Sequence, residues 1–338
     1  MMDSMKVLVV GGSGFIGTRL VATLLERGHE VRVADLAPPA QHPELGVRVD
    51  VRDRAAVVAA AEGMDAIVNL AAAHRDDVRP LSLYAEVNVE GARNTIAAAE
   101  AHGIRRILFT STVAVYPLDL PHPGEDTTPA PFNQYGITKL AAEQVYRGWA
   151  EADVARSLVI VRPSVVFGEG NRGNVWTLTR QLASGRFVMV GRGDNVKAMS
   201  YVGNIVGFLA DRLEAEPGVT LLNYADKPDL STRELVAILR GLLFGSPRPP
   251  RLRIPLWAAV GAGHAIDLVA RATRRSFAVS AIRMRKFAAE TTVDTTRLEA
   301  TGYRRRFTLP EALERTVNAD FPEAVRRVHG QRTPAERS

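Results

Sequence analysis

Tyr135 and Lys139 are the two side chains whose types and spacing most directly indicate proton-transfer chemistry. They are four positions apart, so on a helix they would share one face. A tyrosine, with an unperturbed pKa of about 10, is a poor base at neutral pH, but a neighbouring ammonium group stabilises its phenolate form. The pair could therefore take a proton from a substrate hydroxyl; the alternative is an exposed helical pair without chemistry.

A second group, the stretch Gly11-Gly12-Ser13-Gly14-Phe15-Ile16-Gly17, could hold a phosphate-bearing cofactor. Gly11 permits a tight turn, Gly14 lets the backbone approach a pyrophosphate, and Gly17 lets a helix pack closely on a strand. Asp35, at the end of the next apolar run, could hold both hydroxyls of an adenosine ribose and repel a 2′-phosphate. The pattern predicts NAD rather than NADP; otherwise the glycines only make a turn and Asp35 caps a strand.

The elements that must position these residues alternate through the first half of the chain. Apolar runs predict strands at 6–10, 30–34, 47–50, 66–70, 106–110 and 158–162, and helical spacing predicts helices at 15–27, 54–61, 83–102 and 135–151. Continuous apolar strands that alternate with helices indicate a parallel sheet covered on both faces. The predicted fold class is therefore α/β, a doubly wound parallel Rossmann sheet with a smaller, mixed C-terminal substrate domain.

The expected domain division follows from where this regular alternation weakens. Residues 1–165 are predicted to form the NAD-binding domain, and later segments, among them a strand around 220–223, return to it. Residues 166–330 are predicted to be mainly substrate-binding, and 331–338 a frayed polar tail.

The glycine spacing, together with Tyr135-Gly136-Ile137-Thr138-Lys139, resembles the short-chain dehydrogenase/reductase superfamily. The length and the later motifs resemble its extended branch, the NAD-dependent sugar epimerase/dehydratase family, from Lys6 to about Val317. The resemblance implies that Thr112, the last hydroxyl residue of Thr110-Ser111-Thr112, orients the substrate oxygen beside Tyr135 and Lys139. In isolation, a threonine run in a strand reflects β-propensity.

The resemblance also implies a set of contacts to NAD. Asp50 ends the third strand, where its carboxylate could meet the adenine amino group or simply cap a loop, and the Asn88 amide would support the active-site hydrogen bonds. The full set of expected cofactor contacts is Gly11, Ser13, Gly14, Phe15, Ile16, Gly17, Asp35, Asp50, Val51, Leu70, Ala71, Ala72, Asn88, Thr110, Tyr135, Lys139, Pro163 and Val165.

The substrate side departs from the family pattern. The expected substrate contacts are His74, Thr112, Asn174, Lys197, Arg283 and Arg285. Lys197 stands where the family carries an arginine for the diphosphate, so the charge is kept but the bidentate fork is lost. Val165 replaces the usual asparagine and Asn204 the usual aspartate, and both changes weaken a nucleotide-sugar assignment without removing it.

The expected reaction is epimerisation of a nucleotide-diphosphate sugar at C4, through a keto intermediate with Tyr135 as acid and base. Val113 and Ala114 follow Thr112 where a 4,6-dehydratase of this family carries Asp-Glu, which argues against dehydration. The alternatives are a nucleotide-sugar ketoreductase or dehydrogenase, a sterol-type 3β-hydroxy dehydrogenase, and a non-enzymatic NAD-sensing regulator. The last would be expected to have lost its catalytic set.

Composition and charge limit the remaining classes. The 338 residues include no cysteine, which excludes disulfides, cysteine-ligated metals and thiol catalysis, and no metal site is predicted. The net charge of +6 carries no nucleic-acid motif and suits a solvated basic face or a diphosphate-bearing substrate. No signal peptide is predicted, and 254–270 is too short and polar to span a bilayer, although it could rest on one.

These features favour a cytoplasmic protein. The family resemblance also implies a homodimer formed through the helices that contain Asn88 and Tyr135. The alanine-rich stretches 97–101 and 141–142 would allow such close packing, but they would equally suit a face turned toward the sheet.

Overall fold

The computed structural model describes residues 4–75, 77–118, 120–247, 253–255, 257–258, 261 and 290–330. The strands are β1 (Lys6–Val10), β2 (Glu30–Asp35), β3 (Gly46–Arg48), β4 (Ala66–Asn69), β5 (Arg106–Thr110), β6 (Ser157–Pro163), β7 (Val165–Phe167), β8 (Met189–Val190), β9 (Val196–Tyr201), β10 (Gly218–Tyr224), β11 (Asp226–Ser231) and β12 (Arg253–Ile254). The helices are α1 (Phe15–Glu26), α2 (Arg54–Ala60), α3 (Ser82–Ala85), α4 (Gly91–Ala101), α5 (Gln134–Glu151), α6 (Asn174–Ala183), α7 (Val202–Asp211), α8 (Thr232–Phe244), α9 (Thr296–Ala300), α10 (Leu309–Asp320) and α11 (Pro322–Gly330).

A seven-stranded sheet forms the centre of the molecule, in the order β10-β6-β5-β4-β1-β2-β3, and every neighbouring pair is parallel. Alternate residues of β1 face opposite layers: Val7 and Val9 pack in the core with α1 and α7, and Leu8 and Val10 in the core with α2, α4 and α5. Because both faces are covered by helices, the strands are continuous apolar runs. The predicted doubly wound α/β fold is confirmed.

The strand β10 returns to this sheet after the chain has built several further elements. It lies beside β6, with Leu221 in register with Ile160. The smaller part of the molecule contains a three-stranded sheet, β11-β9-β7, in which β7 and β9 are parallel and β11 and β9 antiparallel, and a short pair of β12 with β8. Its strand directions are mixed, as predicted.

Two predicted elements differ from the structure. The third strand covers Gly46–Arg48 rather than 47–50, because the chain turns at Asp50 to start α2 from the Asp53 cap. The predicted single helix 83–102 consists of α3, a π-helical turn at Glu86–Glu90, and α4. Helical periodicity in the sequence does not distinguish a π turn from the α-helix around it, and π turns often mark functional sites.

The C-terminal part is held together by a group of charged residues around the buried Asp226, which we call the C-terminal cluster: Asp226, Arg305 and Glu299. Asp226 is 1% exposed and lies 3.2 Å from Arg305 Nε, and Arg305 Nη2 donates to Glu299 Oε1 at 2.7 Å. Asp226 also accepts hydrogen bonds from the backbone N–H of Tyr201 at 2.6 Å and from Asn204 Nδ2 at 3.1 Å. The cluster therefore connects β9, β11, α7 and α9.

Within the described residues, no helix combines the length and apolar character needed to cross a bilayer. Most of the stretch 254–270 and all of the predicted tail 331–338 lie outside the described residues.

Candidate active site

The glycine-rich turn between β1 and α1 can be built only from small residues. Gly11 has a φ of 77°, and a Cβ there would lie 2.6 Å from the backbone N of Ala71. At Gly17 a Cβ would lie 2.5 Å from the Cα of Gly12, so this glycine lets α1 sit tightly on the turn. At Gly14 a Cβ would meet only the Gly11 carbonyl at 3.2 Å, which leaves the open side of the turn free for a ligand.

The N-terminus of α1 faces this opening. Its cap residue, Gly14, offers no side chain, so the first-turn amides, among them those of Phe15 and Ile16, have no capping side chain. Uncapped amides at the positive end of a helix dipole bind phosphate groups. The turn and the helix end therefore fit the pyrophosphate of a dinucleotide.

Asp35 ends β2 beside the turn. Its carboxylate accepts hydrogen bonds from the backbone N–H of Ser13 at 3.0 Å and of Ala37 at 3.3 Å, and Ser13 Oγ donates to the Ala37 carbonyl at 2.7 Å. These bonds fix the carboxylate at the carboxyl end of the sheet, the position required for a contact with an adenosine ribose.

Asp50 forms an ion pair with the neighbouring Arg52. Its carboxylate accepts from Arg52 Nη2 at 2.6 Å and from the Arg52 backbone N–H at 3.0 Å, and Arg52 also bonds Glu86. Hydrogen bonding by Arg52 lowers the pKa of Asp50. The adjacent Val51 is buried against Gly91. A Cβ added at Gly91 would lie 2.9 Å from the valine side chain.

Thr112, Tyr135 and Lys139 come together at the carboxyl end of β5. Thr112 follows β5, Tyr135 lies in the first turn of α5, and the Thr112 side chain lies near enough to the phenol to oppose a rise of its pKa. Lys139 lies one turn further on; it is 1% exposed, and its Nζ is 4.1 Å from the centre of the Phe109 ring. The predicted pairing on one helix face is present.

The electrostatics of this group differ from the sequence-based expectation. Burial raises the pKa of Tyr135 to about 12, and the Thr112 side chain only partly opposes this. Burial also lowers the pKa of Lys139 to about 7, and the negative charge of Glu143 opposes that shift. Burial therefore raises the pKa of Tyr135 in the protein alone, where the sequence predicted that the ammonium would lower it, and this keeps Tyr135 as a neutral phenol.

Gly136 explains how α5 reaches the turn after Thr112. A Cβ at this position would lie 2.3 Å from the carbonyl oxygen of Ala114 and 2.9 Å from Pro131 Cβ. Asn133 caps the helix by accepting the Gly136 N–H at 2.8 Å. The sequence motif contained Gly136, but its role in bringing two backbones together became visible only in three dimensions.

Asn88 lies in the π-helical turn and is 2% exposed. Its Oδ1 accepts the Ala73 N–H at 2.9 Å, and its Nδ2 donates to Thr138 Oγ1 at 2.9 Å. The amide therefore connects the loop after β4 with Thr138 of α5, which lies between Tyr135 and Lys139 in the sequence. This contact suits the predicted supporting role.

The chain at the end of β4 is held by Asn69. Its Oδ1 accepts the Ala71 N–H at 3.0 Å, its Nδ2 donates to the Tyr146 hydroxyl at 2.7 Å, and its carbonyl accepts from Thr110 Oγ1 at 3.3 Å. These bonds place Leu70 and Ala71 next to the glycine turn, and sequence reasoning had given Asn69 no such role.

The sequence did not predict the buried ion pair between Glu143 on α5 and Arg162 on β6. Glu143 accepts two hydrogen bonds from Arg162, at 2.9 Å from Nε and 2.6 Å from Nη2, and a third from Ser111 Oγ. Arg162 Nη1 donates to the Tyr116 hydroxyl at 2.7 Å. We call Lys139, Glu143 and Arg162 the catalytic cluster. The signal in the sequence that could have indicated the ion pair is that Glu143 and Arg162 are charged residues within otherwise buried elements.

The predicted substrate residues are spread more widely. Val165 begins β7 and is 37% exposed, and His74 is exposed with Nδ1 3.4 Å from the Ala72 carbonyl. Asn174 is the exposed first residue of α6 and lines a small cavity with residues of the 167–168 turn. Pro163 ends β6, directly before this region.

Lys197 lies on β9, where burial lowers its pKa to about 8 and Glu290 opposes the shift. Arg283 and Arg285 lie outside the described residues. Asn204 is fully buried and bonds Asp226 and the backbone of Phe307, so its departure from the family pattern concerns packing rather than the site.

The chain matches the model of the NAD dependent epimerase/dehydratase family over residues 7–218. It is 43% identical over 321 residues to an N-acetyl-alpha-D-glucosaminyl-diphospho-ditrans,octacis-undecaprenol 4-epimerase of Escherichia coli O157:H7, covering 94% of this chain and 96% of that protein. It is 34% identical over 262 residues to a 2-alkyl-3-oxoalkanoate reductase of Stenotrophomonas maltophilia (strain K279a), covering 72% of this chain and 77% of that protein.

Among solved structures, MoeE5 in complex with UDP-glucose and NAD superimposes with a TM-score of 0.73 at 25% sequence identity, covering 95% of this chain and 99% of that one.

Proposed function

The chain belongs to the NAD-dependent epimerase/dehydratase family, and from that premise we propose that it is a 4-epimerase of a sugar carried on a diphosphate. It is an enzyme of the short-chain dehydrogenase type, and its cofactor is NAD. The observation that carries the proposed reaction is the meeting of Thr112, Tyr135 and Lys139 at the carboxyl end of β5, with Tyr135 and Lys139 one turn apart on α5.

Each member of the group has a task in the proposed reaction. Bound NAD⁺ supplies the hydride acceptor and a positive charge near the phenol. Tyr135 takes the proton from the C4 hydroxyl, and Thr112 orients that oxygen through its own hydroxyl. Lys139 stabilises the phenolate. After the keto sugar has rotated, Tyr135 returns the proton to the C4 oxygen, and the bound cofactor would supply the hydride to the opposite face of C4.

We propose that NAD binds to the glycine-rich turn between β1 and α1 and to the carboxyl end of the neighbouring strands. Gly14 and the first turn of α1 would hold the pyrophosphate, and Asp35 the adenosine ribose. The loop of Leu70 and Ala71 packs on the turn and would approach the nicotinamide ribose.

We propose that the carrier joined to the sugar through the diphosphate is a polyisoprenoid. The relative from E. coli is named for an undecaprenol-linked sugar, and the match with it spans nearly the full length of both chains. Val165, an exposed apolar residue where the family pattern has an asparagine, fits a carrier that offers no polar partner. A nucleotide carrier is the second candidate, supported by the similarity to MoeE5 with UDP-glucose.

We propose His74, Asn174 and Lys197 as the substrate contacts within the described residues. Lys197 suits a diphosphate because it supplies a cation on the small sheet near β7. Its neighbour Glu290 helps to keep it charged against the effect of burial.

Turnover of matched substrates tests this function. The purified enzyme is incubated with N-acetylglucosamine joined through a diphosphate to a short polyprenol, or with UDP-N-acetylglucosamine, and the C4 configuration is read by proton NMR. We expect the 4-epimer from the polyprenyl substrate without net formation of NADH, and no product from Tyr135→Phe, with Tyr303→Phe as the matched control. Faster turnover of the nucleotide sugar would select the second carrier, and net NADH formation would indicate a dehydrogenase.

We also propose that the enzyme works as a cytoplasmic homodimer formed through the outer faces of α4 and α5. Ala98, Ala99 and Ala142 are fully buried against the sheet, so other residues of these helices, such as the 44% exposed Ile137, would form the contact. Light scattering on the purified protein should give twice the chain mass of 36.7 kDa, and Ile137→Glu should reduce it to one chain. A single-chain mass for the unchanged protein would rule the dimer out.

A further inference from the structure

We infer that Glu143 is a positioning residue of the reaction: its buried carboxylate holds Ser111 and Arg162 and sustains the charge of Lys139. The inference rests on the proposed function for its link to catalysis. Glu143 touches neither substrate nor cofactor in this scheme and acts through the residues that do.

The first argument is the set of elements that meet at this one side chain. Glu143 lies on α5, one turn after Lys139, and is 1% exposed. It accepts from Ser111 Oγ, directly before Thr112 on the chain, and twice from Arg162 on β6. One carboxylate therefore fixes the end of β5, the end of β6 and the catalytic helix relative to one another.

The second argument is charge. Lys139 is 1% exposed and Arg162 is 3% exposed; Glu143 is ion-paired with Arg162 at 2.6 Å and lies one helical turn after Lys139, whose charge it favours. With Glu143 ionised the catalytic cluster carries one net positive charge, and without it two positive charges would share a site that water does not reach. Burial of a cation without a partner favours its neutral form, so Lys139 would lose its proton more readily.

The surrounding groups do not replace Glu143. Tyr135 comes from the same helix, and Tyr116 follows β5 and accepts from Arg162. Across from them, β10 presents the uncharged Asn223, which accepts from Tyr116 at 2.8 Å, and the π-helical turn presents the uncharged Asn88. The next carboxylate along this path, Glu125, accepts the Asn223 backbone N–H and so lies beyond Tyr116.

The third argument is the present state of Lys139. Its pKa is about 7 with Glu143 in place, because burial lowers the pKa and the glutamate opposes that effect. The lysine is therefore balanced near neutrality, where a change in one neighbouring charge alters its protonation most.

The test is a titration of Lys139 in the NAD-loaded enzyme with and without the glutamate charge. The chain contains five lysines, so ¹³Cε-lysine NMR gives a short spectrum in which Lys139→Met identifies the signal. We expect Glu143→Gln, which keeps the shape, to lower the pKa of Lys139 by about one unit or more. The high-pH limb of kcat should move down by a similar amount, with KM changed less than about twofold.

Two further variants protect the test against a folding defect. Glu143→Gln combined with Arg162→Gln removes both charges, so no unpaired guanidinium remains and the cluster again carries one net positive charge; the Lys139 titration should then move down less than in Glu143→Gln alone. Asp211→Asn breaks the half-exposed Arg27–Asp211 ion pair, 2.6 Å long, and serves as the control in which neither reading moves.

An unchanged Lys139 pKa in both glutamate variants would overturn the inference, and so would a fall in kcat with an unmoved pH limb, since either result describes a structural ion pair. The NMR titration needs no sugar. A wild-type enzyme that turned over no diphosphate-linked sugar would therefore count against the proposed substrate, while the Lys139 titration would still decide the role of Glu143.

Discussion

The catalytic cluster and the C-terminal cluster contain the same kinds of group but differ in their surroundings. In the first, Lys139, Glu143 and Arg162 are all at most 3% exposed. In the second, Asp226 is equally buried, but the Glu299 side chain at its other end is 48% exposed. The first includes Lys139 and binds Ser111 beside Thr112, two residues for which we propose roles in the reaction, and the second connects elements of the C-terminal part. A buried charge therefore does not identify a site; the residues that it contacts do.

The largest effect that would sharpen this contrast is expected from Lys139→Met. Turnover should fall roughly 10²- to 10⁴-fold, because the phenolate of Tyr135 loses its ammonium neighbour. Stability should change in the opposite direction. The wild-type lysine, with its pKa lowered from 10.5 to about 7, destabilises the fold fully below pH 7, where its buried side chain is charged, and this cost falls as the pH rises from about 7 toward 10.5.

At pH 7 and below, Lys139→Met should therefore be more stable than wild type by about 2 kcal/mol or more in urea unfolding. Lys6→Met, at an exposed lysine, serves as the control for both measurements. A variant that lost activity and stability together would contradict the expected opposition.

Gly136→Ala should give the next largest effect, again on the catalytic side. The new Cβ would lie 2.3 Å from the Ala114 carbonyl, so α5 must move away from the turn after Thr112. Displaced catalytic groups should reduce kcat about 10- to 100-fold, and the strain should cost about 1–3 kcal/mol. Gly148→Ala, on the same helix with nothing within 4 Å, is the matched control and should keep full activity.

Asp226→Asn tests the C-terminal cluster. Burial raises the pKa of Asp226 to about 6 although Tyr201, Asn204 and Arg305 oppose the shift. The contribution of a group with a raised pKa is fully present below its unfolded pKa of about 4 and is lost as the pH rises through about 6. The free energy of unfolding of wild type should therefore fall by up to about 3 kcal/mol relative to that of the variant between pH 4 and pH 7. Urea unfolding at a series of pH values measures this difference.

Turnover at pH 7 should stay within about twofold of wild type in Asp226→Asn, since the hydrogen bonds of Asp226 run to Tyr201, Asn204 and Tyr224 and not to Tyr135. A large loss of kcat in a folded variant would show that the two clusters are not separate in function, and the comparison would fail.

The smallest effect is expected from Gly245→Ala at the end of α8. The glycine has a φ of 65°, so a side chain there costs backbone strain of about 1 kcal/mol. Gly241→Ala, inside the same helix with nothing within 4 Å of the new Cβ, should instead add about 0.5–1 kcal/mol. Neither change should alter kcat, and calorimetry would show whether their signs differ as expected.

The sequence predicted the parts of the molecule that depend on local pattern. The apolar runs of β1 and β4–β6 and the glycine turn identify the sheet because strand burial and turn sterics act on neighbouring residues. The Tyr135–Lys139 pair was predictable because four residues correspond to about one helical turn. These signals need no knowledge of distant contacts.

The remaining parts depend on partners far apart in the chain. Glu143 meets Arg162 across 19 positions, and Asn88 meets Thr138 across 50, with nothing in the local sequence to indicate either contact. The pKa of Tyr135 was expected to fall and instead rises, because a sequence shows the neighbouring ammonium but not the burial that opposes it. Lys197 and Val165 show where the substrate side departs from the family, while their contacts require a bound substrate.

The position of β10 has a consequence for how a newly made chain folds. During synthesis β6 is complete after residue 163, yet its outer neighbour begins only at Gly218, so its backbone edge stays open in between. An open, apolar strand edge pairs readily with other chains. A chain cut near residue 217, where the shared family region ends, would also lose Asn223, the hydrogen-bond partner of Tyr116. The nascent cofactor-binding half therefore remains prone to aggregation until more than 50 further residues have emerged, and its folding is coupled to that of the half which follows it.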